Sequence, residues 1–279
     1  MIIAVTEFGK ALMFGLVQGI TEWLPVSSTG HMLLLQALVH PDVSAAFYEL
    51  FQVVIQLGSV LAVAVLYFDR LDPFSASKSR EEKRRTRQLW GRVAVSVLPL
   101  GAVGLLLDDW IEAHFYNAVT VSVTLIVYGV LFLLAERVRR GRTPTVTTPE
   151  QMDLRHAIEI GLFQTLAVVP GTSRSGATIL GGLLLGLARP LAAEYSFFMA
   201  IPVMAGAGGL KAAKYLLRGG PPLTGTETVY LIAGTAAAFL VSMAAVRLLV
   251  GYLQKHDFRP FGVYRILLGI LTLLFFSAA

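Results

Sequence analysis

Two short stretches of an otherwise apolar chain combine residue types that could do chemistry on a phosphate group. The first, "QGITEWLPVSSTGH", places Gln18 and Glu22 four residues apart, so that both lie on one face of a helix. His31 follows Ser28 by three residues, so the imidazole and the hydroxyl can serve the same site. A carboxylate, a hydroxyl and an imidazole are groups that activate a nucleophile and move its proton. This stretch therefore predicts an acid–base centre.

The second stretch, "PGTSRSGAT", offers hydrogen-bond donors to an anion. Its small residues let backbone N–H groups at the start of a helix approach a ligand, and the guanidinium of Arg174 adds planar donors. An arginine at bilayer depth costs about 2.5 to 3.5 kcal/mol, so Arg174 is a functional candidate, although it could instead be a structural partner of Glu22. Together the two stretches fit phosphoryl transfer, in which a hydroxyl or water attacks and Glu22 or His31 moves the proton.

The candidate site residues fall into two groups. The predicted catalytic residues are Glu22, Ser28, His31 and Arg174. The predicted substrate-binding residues are Gln18, Ser27, Thr29, Gly171, Thr172, Ser173, Ser175 and Thr178. Glu22 is the only carboxylate in either stretch and the chain has no cysteine, so the expected metal is a hard divalent cation that Glu22 shares with phosphate oxygens. Glu49, Gln52 and Gln56 share one helix face, where they either line the cavity or hydrogen-bond to the first stretch.

The composition places these stretches in a lipid bilayer, because 55% of the 279 residues are hydrophobic and only 15% are charged. Two apolar regions, 8–39 and 155–188, are each interrupted by proline, glycine and hydroxyl residues, which end one helix and begin another. The predicted fold is an all-α integral membrane protein with two re-entrant helix–loop–helix hairpins and six transmembrane helices, at 49–68, 90–107, 118–136, 194–213, 228–248 and 261–278.

The two interrupted regions resemble each other. Gln18 matches Gln164 at an offset of 146 residues, while Ser28 matches Ser173 at an offset of 145. Each half of the chain has an odd number of crossings if its hairpin returns to the side from which it starts, and the two halves then have inverted orientations. We therefore interpret the chain as a single membrane domain of two inverted repeats, spanning 1–279 with repeats at about 8–138 and 155–279.

Basic residues cluster in the two loops that follow the first and the third predicted spans. The positive-inside rule makes this the cytoplasmic side, which places both termini, and the opening of the site, on the outer face. The stretch "SASKSREEKRRTRQ" is then a solvated cytoplasmic loop. Because orientation accounts for the basic residues, no nucleic-acid partner is predicted.

The motifs "QGITE", "LPVSSTGH" and "PGTSRSGAT", together with "FQVVIQLGS", resemble those of bacterial undecaprenyl-pyrophosphate phosphatases of the bacitracin-resistance type. The resemblance extends along nearly the full length of the chain. It implies a multi-pass hydrolase of the bacterial cytoplasmic membrane that removes the terminal phosphate from undecaprenyl diphosphate. It also implies recycling of this lipid carrier for peptidoglycan synthesis, bacitracin resistance and a requirement for Mg or Ca.

The resemblance further implies a role for each catalytic candidate. Glu22 corresponds to the family's essential glutamate, as general base or metal ligand, and Arg174 to its phosphate-binding arginine. Ser28 corresponds to the proposed nucleophile and His31 to a proton-transfer partner, and either of the two is left open as the attacking group. Gln18 occupies the first position of the family's E/Q-x-x-x-E motif, where its amide cannot act as a base.

Two other classes of function are compatible with the same pattern. Inverted repeats with broken helices are typical of transporters, so a polyprenyl-phosphate flippase or an anion transporter is the main alternative. A non-catalytic membrane scaffold is the third, but it leaves the polar groups of both stretches unexplained. The expected partners are a polyprenyl diphosphate lipid and membrane lipids, and a homodimer is left open.

Overall fold

A computed structural model describes residues 2–217 and 220–278, apart from the side chains of 2–6, 105, 108, 109, 112 and 278; the terminal residues Met1 and Ala279 lie outside that description. Within it the chain is helical, with one isolated β-bridge between Val146 and Leu187. The α-helices are α1 Ile2–Thr21, α2 Ser28–Val39, α3 Ala45–Leu66, α4 Phe68–Leu71, α5 Arg80–Phe115, α6 Ala118–Arg139, α7 Leu154–Thr165, α8 Arg174–Leu184, α9 Arg189–Leu217, α10 Gly225–Leu253 and α11 Arg259–Ala278. Short 3₁₀ helices occupy Pro149–Gln151 and Leu166–Val168.

Five helices of the described chain are long and apolar enough to cross a membrane: α3, α6, α9, α10 and α11. They contain or closely match five of the six predicted spans, and the sixth, 90–107, lies inside the 36-residue helix α5. The prediction of an all-α, multi-pass membrane protein is therefore confirmed. The two interrupted regions form the helix pairs α1/α2 and α7/α8, which we call the first and the second hairpin.

The prediction of a solvated loop over "SASKSREEKRRTRQ" is wrong for its second half, because α5 begins at Arg80. The backbone N–H of Glu82 donates to the hydroxyl of Ser79 at 3.2 Å, and the Glu82 carboxylate accepts from the Ser79 N–H at 2.7 Å. This capping box satisfies backbone donors that a helix start otherwise leaves free. Arg84 and Arg85 donate hydrogen bonds to the charged form of Glu81 and lower the pKa of its carboxyl to about 2.

The main helix contacts cross between the two halves of the chain. The first hairpin packs through α1 on α10, and the second packs through α7 on α5, while α3 packs on α9 and α6 on α11. Glycine permits the closest approaches, because a Cβ atom on Gly15 would collide with the carbonyl of Gly234, and one on Gly161 would lie 2.5 Å from the carbonyl oxygen of Ser96. Both hairpins are thus fixed against helices of the opposite half.

Candidate active site

Each hairpin breaks at a serine with a left-handed backbone conformation. Ser27 has φ 71° and Ser173 has φ 69°, and each is the N-cap of the helix that follows. Their hydroxyls accept the N–H groups of Gly30 at 3.3 Å and Gly176 at 3.1 Å. Such backbone conformations cost about 1 to 3 kcal/mol in non-glycine residues and cluster at functional sites.

The two caps revise the register of the sequence match by one residue. The sequence pairs Ser28 with Ser173, but the residue that caps α2, as Ser173 caps α8, is Ser27. The offset between the two caps is 146 residues, the same as between Gln18 and Gln164. Ser28 and Arg174 consequently occupy the same position, the first residue of α2 and of α8.

The carboxylate of Glu22 lies at the centre of the site. Its Oε2 accepts hydrogen bonds from Nε2 of Gln18 at 3.0 Å and from Oγ of Ser28 at 2.9 Å. Its Oε1 lies 3.5 Å from Nη2 of Arg174. Because the Ser28 proton already points at a carboxylate, this arrangement can convert the hydroxyl into a nucleophile.

Arg174 keeps donors available for an anion. Its side chain is 9% exposed; Nη1 donates to the carbonyl of Ser196 at 2.8 Å, and the buried Nε has no hydrogen-bond partner in the described chain. Its contact with Glu22 is long for a charge-assisted hydrogen bond. Structural pairing with Glu22 therefore does not use up the guanidinium, and both predicted roles of Arg174 are compatible with its position.

His31 is held beside this centre by two other groups. Its Nδ1 lies 2.7 Å from the carbonyl oxygen of Ser27, and its Nε2 lies 2.7 Å from the hydroxyl of Tyr264. Because a carbonyl can only accept, Nδ1 carries a proton, and in the neutral ring Nε2 accepts from Tyr264. No hydrogen bond in the described part of the chain joins His31 to Ser28 or Glu22. The structure therefore adds Tyr264, which the sequence patterns do not single out.

Two hydroxyl residues predicted to bind substrate instead join buried elements. Ser175 donates to the carbonyl of Glu22 at 3.0 Å, and Thr178 donates to the hydroxyl of Ser196 at 2.7 Å. Both are 1% exposed. Ser27 and Ser173 act as helix caps, as described above, while Thr29 lines a cavity. A direct role in substrate binding stays a prediction for each of these residues.

Arg265, on α11, ties the two hairpin breaks together. It is fully buried, and its Nη1 donates to the carbonyl of Pro25 at 3.1 Å. Its Nη2 donates to the carbonyls of Gly171 at 2.9 Å and Thr172 at 3.0 Å, and its guanidinium lies 5.4 Å from the ring centre of Tyr128. The sequence patterns do not identify Arg265 as a site residue, although it is the only charged residue in α11 after Arg259.

The buried charges of the site favour an anionic ligand. Among the described residues no ion pair includes Arg265, whereas Arg174 lies close to Glu22. The buried site therefore contains two guanidinium groups and one carboxylate, which leaves one positive charge in excess at a water-poor position. A phosphate group would compensate that charge. The free N–H groups in the first turns of α2 and α8 carry partial positive charge and would also favour a phosphate.

A small cavity of about 80 Å³, the catalytic pocket, opens beside the serine. Its walls include Gln18, Ser28 and Thr29 from the first hairpin and Gln52 and Gln56 from α3. A second cavity, described below, adds Glu49 to this wall. Of the two roles open for the polar face of α3, lining the cavity is therefore observed.

The oxygen atoms around Glu22 could hold a metal ion only with help from a substrate. No group of three or more histidine, aspartate or glutamate side chains in the described chain has the geometry of a metal site. Glu22 offers a carboxylate, and Ser28 and Gln18 offer neutral oxygens, which are the ligand types that Mg and Ca prefer. Phosphate oxygens would have to complete the coordination.

Comparison with known proteins identifies close relatives over the whole chain. The family model described as "Bacitracin resistance protein BacA" matches residues 11–271. A protein of Desulfitobacterium hafniense named undecaprenyl-diphosphatase is 49% identical over 276 residues, covering 99% of this chain and 98% of its own. Proteins with the same name from Streptococcus mutans and Acetivibrio thermocellus are 49% and 47% identical, covering 96% and 98% of this chain and of their own lengths.

Proposed function

Because this chain belongs to the family of the bacitracin resistance protein BacA, we propose that it hydrolyses undecaprenyl diphosphate to undecaprenyl phosphate and inorganic phosphate. The hydrolysis recycles the lipid carrier for peptidoglycan synthesis and confers resistance to bacitracin. The observation that carries this proposal is the hydrogen bond from Ser28 to Glu22, formed next to Arg174. It combines a nucleophile, its base and an anion-binding group in one buried site.

In the proposed reaction, Oγ of Ser28 attacks the terminal phosphorus while its proton passes to Glu22. The bond between that phosphorus and the bridging oxygen breaks, and the lipid monophosphate leaves. Water then displaces the phosphoryl group from the serine, one proton returns to Oγ through Glu22, and inorganic phosphate leaves. Arg174 and the helix N-termini stabilise the charge on the phosphoryl oxygens throughout.

We assign His31 a supporting role, because the Ser28 hydroxyl donates its hydrogen bond to the Glu22 carboxylate and not to the imidazole of His31. With Nδ1 bonded to the carbonyl of Ser27, the ring can exchange a proton only through Nε2, which faces Tyr264. Attack by His31 is the alternative, and it would require the imidazole to leave both contacts.

We further propose that a divalent cation, Mg or Ca, binds together with the substrate. Glu22 and the Ser28 hydroxyl would hold it, and it would supply positive charge to the diphosphate oxygens. With one protein carboxylate, affinity in the absence of substrate would be low.

The proposed topology is six spans and two re-entrant hairpins in two inverted repeats, with both termini and the site's opening on the outer face. It is supported by the exchange of helix contacts between the halves, in which α1 on α10 corresponds to α7 on α5. The matched caps Ser27 and Ser173 also support it. The basic residues of the loops after α3 and α6 support a cytoplasmic location for these loops.

Cysteine labelling would test this topology against a background free of native cysteine. We expect Ala76→Cys and Lys255→Cys to be protected from a membrane-impermeant maleimide in intact cells, and Pro222→Cys to be labelled. All three positions are exposed. If the second hairpin crossed the membrane completely, positions 76 and 255 would lie on opposite sides, so labelling of only one of them would refute the re-entrant arrangement.

Phosphate release by the purified protein would test the proposed activity. We expect release from undecaprenyl diphosphate, its loss on adding EDTA, and its recovery with excess Mg or Ca, because the cation is shared with the substrate. The control is the same sequence of EDTA and metal additions to substrate in detergent micelles that contain no protein. Lipid monophosphate that crosses a proteoliposome bilayer without any phosphate release would instead identify the flippase.

A further inference from the structure

An apolar groove lies between α5 and α9. Its volume is about 510 Å³, and its walls include Leu100, Gly101 and Gly104 of α5 with Gly206 and Leu210 of α9. Lys214 is the only charged residue among the described residues that line it. Leu210 is 50% exposed, so the groove opens on the outside of the helix bundle, where α9 meets lipid. An apolar chain in the bilayer can therefore reach the groove sideways.

The groove joins a polar cavity of about 540 Å³, which we call the vestibule. Leu210 and Lys214 line both spaces. The vestibule extends to Thr29 and Pro170, at the breaks of the two hairpins. Thr29 in turn lines the catalytic pocket beside Ser28. A continuous series of shared wall residues therefore leads from the nucleophile to the groove.

The described cationic side chains on this path line the vestibule, next to the start of the apolar groove. Glutamine and hydroxyl residues line the catalytic pocket together with apolar side chains such as Phe14 and Phe51, and two lysines, Lys211 and Lys214, line the vestibule. Lys211 also pairs with Glu49 at 3.2 Å. Beyond Lys214 the described walls are apolar. This order matches an amphiphile with an anionic head and a hydrocarbon tail.

We propose that the groove binds the isoprenoid tail of the lipid diphosphate while the headgroup occupies the catalytic pocket. The inference rests on the proposed function, since it assigns the tail of that substrate. Lys214 then lies at the boundary between the charged head and the apolar tail. The path to Ser28 selects an amphiphile whose terminal phosphate can reach the nucleophile.

The glycines of the groove support a ligand rather than helix packing. Glycine in a helix interior is less stable than alanine and is usually kept where another backbone approaches closely. A Cβ atom on Gly101, Gly104 or Gly206 would meet nothing within 4 Å, in contrast to Gly161, which abuts Ser96. The three glycines widen a space that no protein atom fills.

Narrowing the groove should impair long substrates selectively. In Gly101→Leu and Gly206→Leu, we expect kcat/KM for undecaprenyl diphosphate to fall about tenfold or more, because the added side chain occupies the volume of the tail. For dimethylallyl diphosphate, whose tail is too short to fill the groove, kcat/KM should equal that of the native protein. Both constants come from phosphate release in the same detergent.

The matched control is Gly91→Leu, which makes the same change on α5, also in open space, but outside the groove. It should leave kcat/KM for both substrates as in the native protein. An equal loss for both substrates in the groove variants, or no loss for the long one, would overturn the tail assignment. Absence of phosphate release from the native protein would refute the proposed function and not the groove.

Photolabelling of the native protein tests the groove without relying on the folding of a variant. A polyprenyl diphosphate with a diazirine in its tail should label peptides from α5 and α9, and excess undecaprenyl diphosphate should abolish that labelling. Labels confined to helices other than these two would exclude the groove as the site of the tail, whether or not the protein hydrolyses the probe.

Discussion

Replacing Glu22 by glutamine should lower kcat for phosphate release by about a thousandfold or more, which is within the range of a lost general base. The substitution keeps the size of the side chain but removes the charge that accepts the Ser28 proton at 2.9 Å. It also leaves Arg174 without its nearest anion, so substrate could still bind through the guanidinium. We therefore expect the loss in kcat, with a smaller change in KM. Steady-state phosphate release, normalised to folded protein, gives both constants.

Glu136→Gln is the matched control for this prediction. Glu136 is another buried glutamate paired with an arginine, and its two oxygens accept from Arg189 at 2.8 and 2.5 Å. Breaking that pair should lower the free energy of unfolding by about 1 to 3 kcal/mol, the cost of a lost partner for a buried polar group, while the activity of the folded fraction is retained. If Glu22→Gln behaved in the same way, with native kcat in the folded fraction, the catalytic role of Glu22 would be disproved.

The double variant Glu22→Gln with Ser28→Ala separates a catalytic pair from two independent residues. Groups that act as one unit show non-additive losses, so the double variant should be no slower than the slower single variant. If the fold-loss in kcat of the double variant equalled the product of the two single losses, Ser28 would be activated by a group other than Glu22. His31 would then be the candidate for that group.

Replacing Arg265 by lysine should lower kcat by about a hundredfold, the effect expected when reacting groups are misplaced by about 1 Å. Arg265 is a positioning residue, since it contacts the carbonyls of the two breaks and neither Ser28 nor Glu22. Lysine keeps the charge, but one nitrogen replaces the two that reach Pro25 on one side and Gly171 on the other. The two hairpins would then lose the side chain that hydrogen-bonds to both of them, and Ser28 would shift relative to Arg174.

The control for Arg265 is Arg139→Lys. Within the described chain Arg139 also donates to backbone carbonyls alone, those of Leu183 in the last turn of α8 and of Leu187 just after it. This variant should lose stability without loss of kcat. A purely structural Arg265 would give the same result, with a lower Tm and native kcat in the folded fraction, and that outcome would refute its positioning role.

The hairpins could be predicted from the sequence because the signals that break them are local. Pro25 with its hydroxyl neighbours, and Pro170 with Gly171, stop one helix and cap the next within a few residues. The grouping of Gln18 and Glu22 is equally local, as it depends only on helical spacing. The capping box at Ser79 also indicates the start of α5 in the sequence, but the many charged residues that follow it favour a loop.

The remaining part of the site depends on contacts between distant segments. Arg265 meets Pro25 across 240 residues, and Tyr264 meets His31 across 233, so no spacing rule connects them. A lone arginine in an apolar helix was the only available signal for Arg265. The one-residue revision of the sequence match between the hairpins likewise required backbone angles, because "VSS" allows either serine to be the cap.

The shared helix position of Ser28 and Arg174 has a consequence for stoichiometry. Both helix starts converge on the single carboxylate of Glu22, so the two hairpins form one site, and each chain should bind one diphosphate headgroup and not two. The halves have become complementary, since the first has no arginine at this position and the second has no serine there. Neither half, expressed alone, would be a smaller enzyme.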